Sequence, residues 1–193
     1  MIVSGVDLLR NELEKAPVLN KGNYNYYLWS ISEQYPPLSP KVLMDCCKEL
    51  VKKLNHKDVD FIVTAEAMGI SIATTVAILL DKPIIIGTKR KKGVPKEYEA
   101  WYQCGYKMDV LNFSEIEKNS NVLIIDDVIS TGATCLAMIN TVKHFDANVS
   151  DIGVLVSKSN YPGVKRLEDI GYSPKRLFDI RVEKDKVFIE NQQ

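Results

Sequence analysis

A chain of 193 residues has room for one domain with at most a small appendage. Lys+Arg and Asp+Glu stand at 25 each, so the net charge is zero, which argues against general binding to nucleic acid or to an anionic membrane surface, although a small anionic ligand needs only a local cluster. The composition, 46% hydrophobic and 26% charged, is that of a globular protein, and no apolar run approaches the roughly 20 residues of a bilayer span.

Residues 4–15 read as a short amphipathic helix, with Leu8, Leu9 and Leu13 on one face and Pro17 just past the end. The start of the chain turns acidic too early for a signal peptide. Residues 23–32 (NYNYYLWSIS) are aromatic and extended in character, and a Pro36–Pro37 turn closes them. Ser39 supplies an N-cap and Pro40 the first helical position. The helix they begin runs to about Leu54, with Val42, Leu43, Cys46, Leu50, Val51 and Leu54 inward. Beyond it the pattern changes to apolar strands at 60–65 (DFIVTA), 83–87 (PIIIG), 122–125 (VLII), 151–156 (DIGVLV) and 177–182. Helices are predicted over 69–80 and 134–145. Strands that are apolar throughout must be buried on both faces. Their alternation with helices predicts an α/β fold, a central parallel sheet flanked by helices. Ligands of such sheets bind beyond the carboxyl ends of the strands. The loops 66–71, 88–103, 126–134 and 157–163 are therefore the ones to inspect. Cys46, Cys47, Cys104 and Cys135 form no CxxC pair and read as reduced thiols of a cytoplasmic protein. His56 and His144 have no partner at zinc-ligand spacing.

The segment 122–134 (VLIIDDVISTGAT) carries the most chemistry. Asp126 and Asp127 stand at the end of a buried strand, and Thr131, Gly132 and Thr134 lead into a helix. A helix N-terminus with free N–H groups, a glycine and hydroxyls is a phosphate cradle. Carboxylates beside it can accept hydrogen bonds from sugar hydroxyls, directly or through Mg²⁺. The plainer reading is an acidic N-cap with incidental Ser and Thr. No Walker A or GxGxxG loop is present. After the second strand, Lys89, Arg90, Lys91 and Lys92 form either a solvated charge run or a site for a polyanion such as pyrophosphate, Lys89 and Arg90 lying nearest the strand. Residues 93–110 have few aliphatics and several aromatics, and suit a flap that closes to exclude water.

The string of four apolar residues followed by Asp-Asp-x-x-x-Thr-Gly-x-Thr resembles the phosphoribosyl pyrophosphate signature of type I phosphoribosyltransferases. Residues 16–24 (APVLNKGNY), Glu66-Ala67-Met68-Gly69, Lys89-Arg90-Lys91 and 126–134 follow the order and spacing of archaeal purine phosphoribosyltransferases, of the hypoxanthine/guanine or adenine type. The resemblance implies one domain over 1–193, with a hood from 1–38 and 157–193, a core over 56–156 and a flap over 93–110. It implies a Mg²⁺-dependent cytoplasmic homodimer that converts a purine base and phosphoribosyl pyrophosphate to a nucleoside monophosphate and pyrophosphate, with no nucleic-acid or membrane partner. Asp126 and Asp127 then act on the ribose and the metal, the latter directly or through water. Val128, Ser130, Thr131, Gly132, Ala133 and Thr134 hold the 5′-phosphate. Glu66, Ala67, Met68 and Gly69 present backbone to pyrophosphate through a cis Glu66–Ala67 bond, with Lys89 and Arg90. Lys158 and Ile129 contact the base.

The chain departs from the family pattern in several places. Many 6-oxopurine enzymes have an acid where Ser130 stands, and many adenine enzymes a flap glutamate at about Gly105. The general acid/base is thus unassigned, with Glu97, Glu99 or water as candidates. Ser157-Lys158-Ser159 replaces a Glu-Lys-Gly. A lysine has only donors, which leans toward an oxo group and so toward hypoxanthine or guanine; an adenine enzyme on the same scaffold is the alternative. Tyr24, Tyr26, Tyr27 and Trp29 either roof the base or pack in the core. A non-catalytic phosphoribosyl-pyrophosphate-sensing regulator is the reading from another class, and the chain has no helix-turn-helix extension or basic excess to favour it.

Overall fold

The computed structural model describes residues 3–21, 24–104 and 107–190. Ser4 opens the first helix, α1 (Gly5–Glu14), by accepting the Asp7 N–H at 3.1 Å. Leu9 and Leu13, one turn apart, are fully buried, whereas Leu8 falls off that stripe and is 39% exposed. The aromatic stretch forms a hairpin, β1 (Val18–Lys21) and β2 (Tyr24–Tyr27), with Val18 opposite Tyr27. It continues into a one-turn helix, α2 (Ser30–Glu33), where the sequence reading expects extended chain. Four residues are too few for helical periodicity to register. In α3 (Pro40–Lys53) proline occupies the first turn as expected, but Ser39 makes no side-chain capping bond. Its inward face is Val42, Cys46, Cys47 and Leu50.

The remaining elements are β3 (Phe61–Ala65), α4 (Gly69–Leu80), β4 (Ile84–Gly87), β5 (Tyr98–Cys104), β6 (Lys107–Phe113), β7 (Asn121–Ile129), α5 (Ala133–His144), β8 (Asn148–Lys158), α6 (Gly163–Glu168), β9 (Lys175–Glu183) and β10 (Lys186–Glu190). A six-stranded sheet runs β10-β9-β8-β7-β3-β4. Every pairing in it is parallel except that of β9 with β10. The expected α/β architecture is therefore present, with an antiparallel edge strand added.

Strand alternation divides the core. Ile62, Leu123, Ile125 and Leu155 point to the face covered by α1, α3 and α4. Val63, Val122, Ile124 and Val154 point to the face covered by α5 and the β5–β6 hairpin. That hairpin, which spans most of the stretch 93–110, is seated by Ala100, Leu111 and Phe113, all buried, and by Tyr98 stacked on His144 at 3.9 Å between ring centroids. Phe113 fits under Gly87, where an added Cβ would lie 2.2 Å from its ring.

The strands bearing the site are longer than the apolar runs suggest. β7 continues past its acids, with Asp126 opposite Val154, Val128 opposite Val156 and Ile129 opposite Ser157. The carboxylates thus belong to the ladder, because the β-branched Val128 and Ile129 extend it. Among the described residues no helix is long and apolar enough to cross a membrane.

Candidate active site

Because β3, β4, β7 and β8 are parallel, their carboxyl ends share one edge of the sheet. Asp126 and Asp127 reach that edge from neighbouring positions of one strand, so they face opposite ways. Asp126 is 6% exposed, and its Oδ1 accepts the Asp127 N–H at 3.0 Å. Burial, and secondarily the charge of Asp127, push its carboxyl well above the usual range. Gly69, the first residue of α4, lies against it. A Cβ there would be 2.4 Å from Thr64 Oγ1 and 2.7 Å from Asp126 Oδ1, so only glycine lets the β3–α4 turn approach. Asp127 looks toward α2, and its Oδ2 accepts the Ser32 hydroxyl.

After β7 the chain turns through Ser130 and Thr131 to Gly132, whose φ of +79° is the left-handed conformation that glycine tolerates, and enters α5. The first turn of that helix offers amides without intrahelical partners. The loop is buttressed from behind. Gly163 N donates to Ser130 O at 2.9 Å, and Arg166 Nη1 donates to Thr131 O at 3.0 Å. A Cβ on Gly163 would sit 2.2 Å from Ser130 O. A cleft of about 400 Å³ opens beside Thr131 and Ala133, under Trp101 and Tyr102.

The two loops read as pyrophosphate ligands meet at the same edge. The Glu66–Ala67 peptide is cis. Glu66 N donates to Gly87 O at 2.9 Å, and Glu66 Oε1 accepts the Lys89 N–H. The basic run is stitched to the β5–β6 hairpin: Lys89 Nζ lies 3.4 Å from Asp109 Oδ2, and Lys91 pairs with Glu99. Arg90 is exposed and makes no ion pair among the described residues. Glu97 accepts the N–H groups of Lys92 and Gly93, at 2.7 and 3.0 Å, which hold its carboxyl below the usual range. Both carboxylates considered for general acid/base are therefore engaged by the basic loop.

A cavity of about 270 Å³ lies between the β2–α2 segment and the sheet edge, lined by Tyr26, Tyr27, Trp29, Ser32, Glu33, Met68, Asp127, Val128, Ser130 and Lys158. Lys158 is 2% exposed, so it is no surface cation. Its Nζ donates to Asn25 O at 2.8 Å and lies 5.1 Å from the Tyr27 ring centroid and 5.6 Å from that of Tyr161. Burial pushes its pKa down to about 8, against the opposing influence of Glu33 and Asp127. Burial also raises the Glu33 carboxyl. The aromatic cluster divides: Trp29 and Tyr27 are buried, 5.6 Å apart, with an edge on the cavity, while Tyr26 is an exposed rim. The side chain of Tyr24 and the position Gly105 lie outside the described residues. One expected contact is corrected. Ile129 turns its side chain into the core on the α5 face, and its neighbour Val128 lines the cavity, because adjacent strand residues alternate. Ser32 and Glu33 carry no motif in the sequence, and only the packing of α2 brings them to the site. Among the described residues no cluster of three or more His, Cys, Asp or Glu could by itself hold a metal ion.

A parallel sheet with paired acids, a glycine-led helix entrance and a cis-peptide turn on one edge is the layout of a phosphoribosyltransferase domain. The profile of the phosphoribosyl transferase domain family matches residues 39–190, and the chain belongs to that family. It is 39% identical over 183 residues to a hypoxanthine/guanine phosphoribosyltransferase of a Methanocaldococcus species, covering 94% of this chain and 92% of that protein. It is 34% identical over 187 residues to HGPRTase-like protein 1 of Haloferax volcanii, covering 97% and 98%. Among solved structures, adenine phosphoribosyltransferase of Thermoanaerobacter pseudethanolicus superposes with a TM-score of 0.77 at 21% identity, over 90% of this chain and 99% of that one. The Saccharomyces cerevisiae adenine enzyme, solved with adenine and an imino-altritol bisphosphate, gives 0.74 at 21% identity, over 91% and 99%. At these identities the structural likeness speaks for the fold.

Proposed function

We propose that this chain is a purine phosphoribosyltransferase with a preference for 6-oxopurines, transferring phosphoribosyl from phosphoribosyl pyrophosphate to hypoxanthine or guanine. The observation that carries the reading is that Lys158, a buried donor, and Asp127, a carboxylate suited to a ribose, line one cavity. One of its ammonium donors serves Asn25 O, and an ammonium carries donors only, which suits the oxo group of a 6-oxopurine better than an amino group. The curated relatives named as hypoxanthine/guanine enzymes point the same way.

In this reading Asp127 accepts a ribose hydroxyl. Asp126, buried and held toward its neutral form, braces the strand end and the Gly69 turn. Thr131, Gly132, Ala133 and Thr134 bind the 5′-phosphate through amides and hydroxyls at the start of α5. The β3–α4 turn and Lys89 and Arg90 receive pyrophosphate, stabilising charge as it departs from C1 of the sugar. The base's ring nitrogen attacks C1, and its proton passes to water. The donor set suits Mg²⁺ as it usually binds, through one or two carboxylates plus substrate oxygens and without a protein cage. Asp127, the more accessible carboxylate, would hold the ion, while Asp126 is buried and faces the other way. When bound, the ion neutralises pyrophosphate charge.

The test is a panel of adenine, hypoxanthine, guanine, xanthine and uracil with phosphoribosyl pyrophosphate and Mg²⁺, with nucleotide and pyrophosphate both measured. Turnover of hypoxanthine or guanine well above adenine is expected. Dominant adenine turnover would reject the 6-oxopurine preference, and binding without pyrophosphate release would favour a sensing regulator.

A further inference from the structure

We infer that Ser32 is a positioning residue for the sugar: its hydroxyl fixes the rotamer of Asp127 and thereby links the one-turn helix beside the base cavity to the ribose-binding strand end. The inference rests on the assignment of Asp127 to the ribose. Ser32 is 4% exposed, and its Oγ donates to Asp127 Oδ2 across 95 positions of sequence. No role in the reaction as described above requires this contact.

The direction of influence follows from what holds each partner. α2 is fixed independently of Asp127. Trp29 and Ile31, on either side of Ser30, are each 1% exposed in the core. Ser30 Oγ donates to Glu12 Oε2 of α1 at 3.0 Å, and Ser30 N donates to the other oxygen of the same carboxylate. Ser32 is therefore a donor placed by core packing. Asp127, by contrast, is half-buried at the strand edge with its carboxylate turned to the cavity. A carboxylate has about four acceptor positions. One donor at Oδ2 thus leaves capacity for a ribose hydroxyl while removing the freedom of the side chain to rotate. Holding the group in one orientation before the sugar arrives removes an ordering cost from binding. Glu33, next in the chain, lines the same cavity as Lys158, so the helix that orients the sugar carboxylate also borders the base.

The experiment compares wild type with Ser32→Ala, Ser32→Thr, Asp127→Asn and the double variant Ser32→Ala/Asp127→Asn. It measures KM for phosphoribosyl pyrophosphate, kcat, calorimetric Kd for inosine and guanosine 5′-monophosphate, and melting temperature. Ser32→Ala is expected to raise KM for the sugar donor and Kd for the nucleotides on the order of ten-fold, as for loss of a hydrogen bond to a charged group, with little change in kcat or melting. Ser32→Thr, which returns a hydroxyl, recovers most of the loss. The double variant is no weaker than Asp127→Asn alone, because Ser32 acts through that carboxylate. Wild-type KM and Kd in Ser32→Ala, alongside an impaired Asp127→Asn, would overturn the inference. So would additive losses in the double variant, or a folded Ser32→Thr with no recovery. If Asp127→Asn itself binds nucleotide normally, the ribose assignment fails, and the role of Ser32 fails with it.

Discussion

Lys158 shows how burial changes the chemistry of an ordinary side chain. Lys158 is desolvated, so its folded pKa stands near 8 against an ordinary 10.5. Glu33 and Asp127, which face it across the cavity, oppose the shift, and Tyr27 and Tyr161 flank it. The folded state gives up this proton at lower pH than the unfolded chain. Between about 8 and 10.5 the unfolded state therefore binds more protons, and this residue's contribution to stability rises with pH. Denaturant melts on both sides of that interval should show a steeper rise for wild type than for Lys158→Met. In the same interval the affinity of wild type for hypoxanthine should fall as the charged donor is lost, and an affinity flat through pH 8 would remove Lys158 from base recognition. Gly69 makes the complementary point about space. Its missing Cβ leaves 2.4 Å to Thr64 Oγ1 and 2.7 Å to Asp126 Oδ1. Gly69→Ala must push the β3–α4 turn away from the acid, at a cost of about 1–3 kcal/mol in denaturant melts. The pyrophosphate rate should fall with it, since the turn and the acid move apart. Unchanged stability would mean that the turn accommodates a side chain.

At the scale of elements, the β5–β6 hairpin is the one whose seating matters most for the site. It is held at its base by packing and at its basic-loop side by ion pairs, and these differ in weight. Phe113 is fully buried and fills the space that Gly87 leaves empty. Phe113→Ala should therefore cost about 3–5 kcal/mol. The exposed pair of Lys91 with Glu99 and the looser contact of Lys89 with Asp109 contribute little to stability, because solvent screens them. Asp109→Asn should leave melting almost unchanged and free Lys89 for pyrophosphate. The measurement is a pair of urea titrations beside the kinetic constant for pyrophosphate release. Equal destabilisation by both variants would show that the ion pairs, not the aromatic core, seat the hairpin. The contrast also explains how a basic run can rest on carboxylates of its own chain and still serve a polyanion: exposed pairs exchange partners at little cost.

For the whole molecule, the site is assembled from widely separated parts of the chain. Ser32 of α2, the β3–α4 turn, the loop after β4, the end of β7 and Lys158 at the end of β8 share one edge. A ligand that touches all of them binds only the folded state, so it must stabilise the fold as a unit. Phosphoribosyl pyrophosphate with Mg²⁺ at about a hundred times its Kd should add about 2.7 kcal/mol. A thermal melt with and without the pair of ligands reads this, and the shift should shrink in Asp127→Asn. An absent shift at saturating donor would argue that the edge does not form one site.

The features legible in the linear chain are those whose cause is local. Apolar runs buried on both faces announce parallel strands. Ser4 caps its own helix three residues on, and Pro40 starts one. Asp126, Asp127 and the Thr131–Thr134 turn lie within a single strand–loop–helix passage. The features that stayed hidden depend on register and packing over long separations. Ile129 looked available to the base until the length of β7 set which way it points. α2 and α6 are too short to leave a periodic trace. Whether Lys158 was a solvated cation or a buried donor turned on Asn25, 133 positions away, and the partner of Asp127 turned on a serine 95 positions away. Local chemistry selects an element and a motif. Which side chains then meet is set by how the elements stack, through contacts whose energy no short stretch of chain contains.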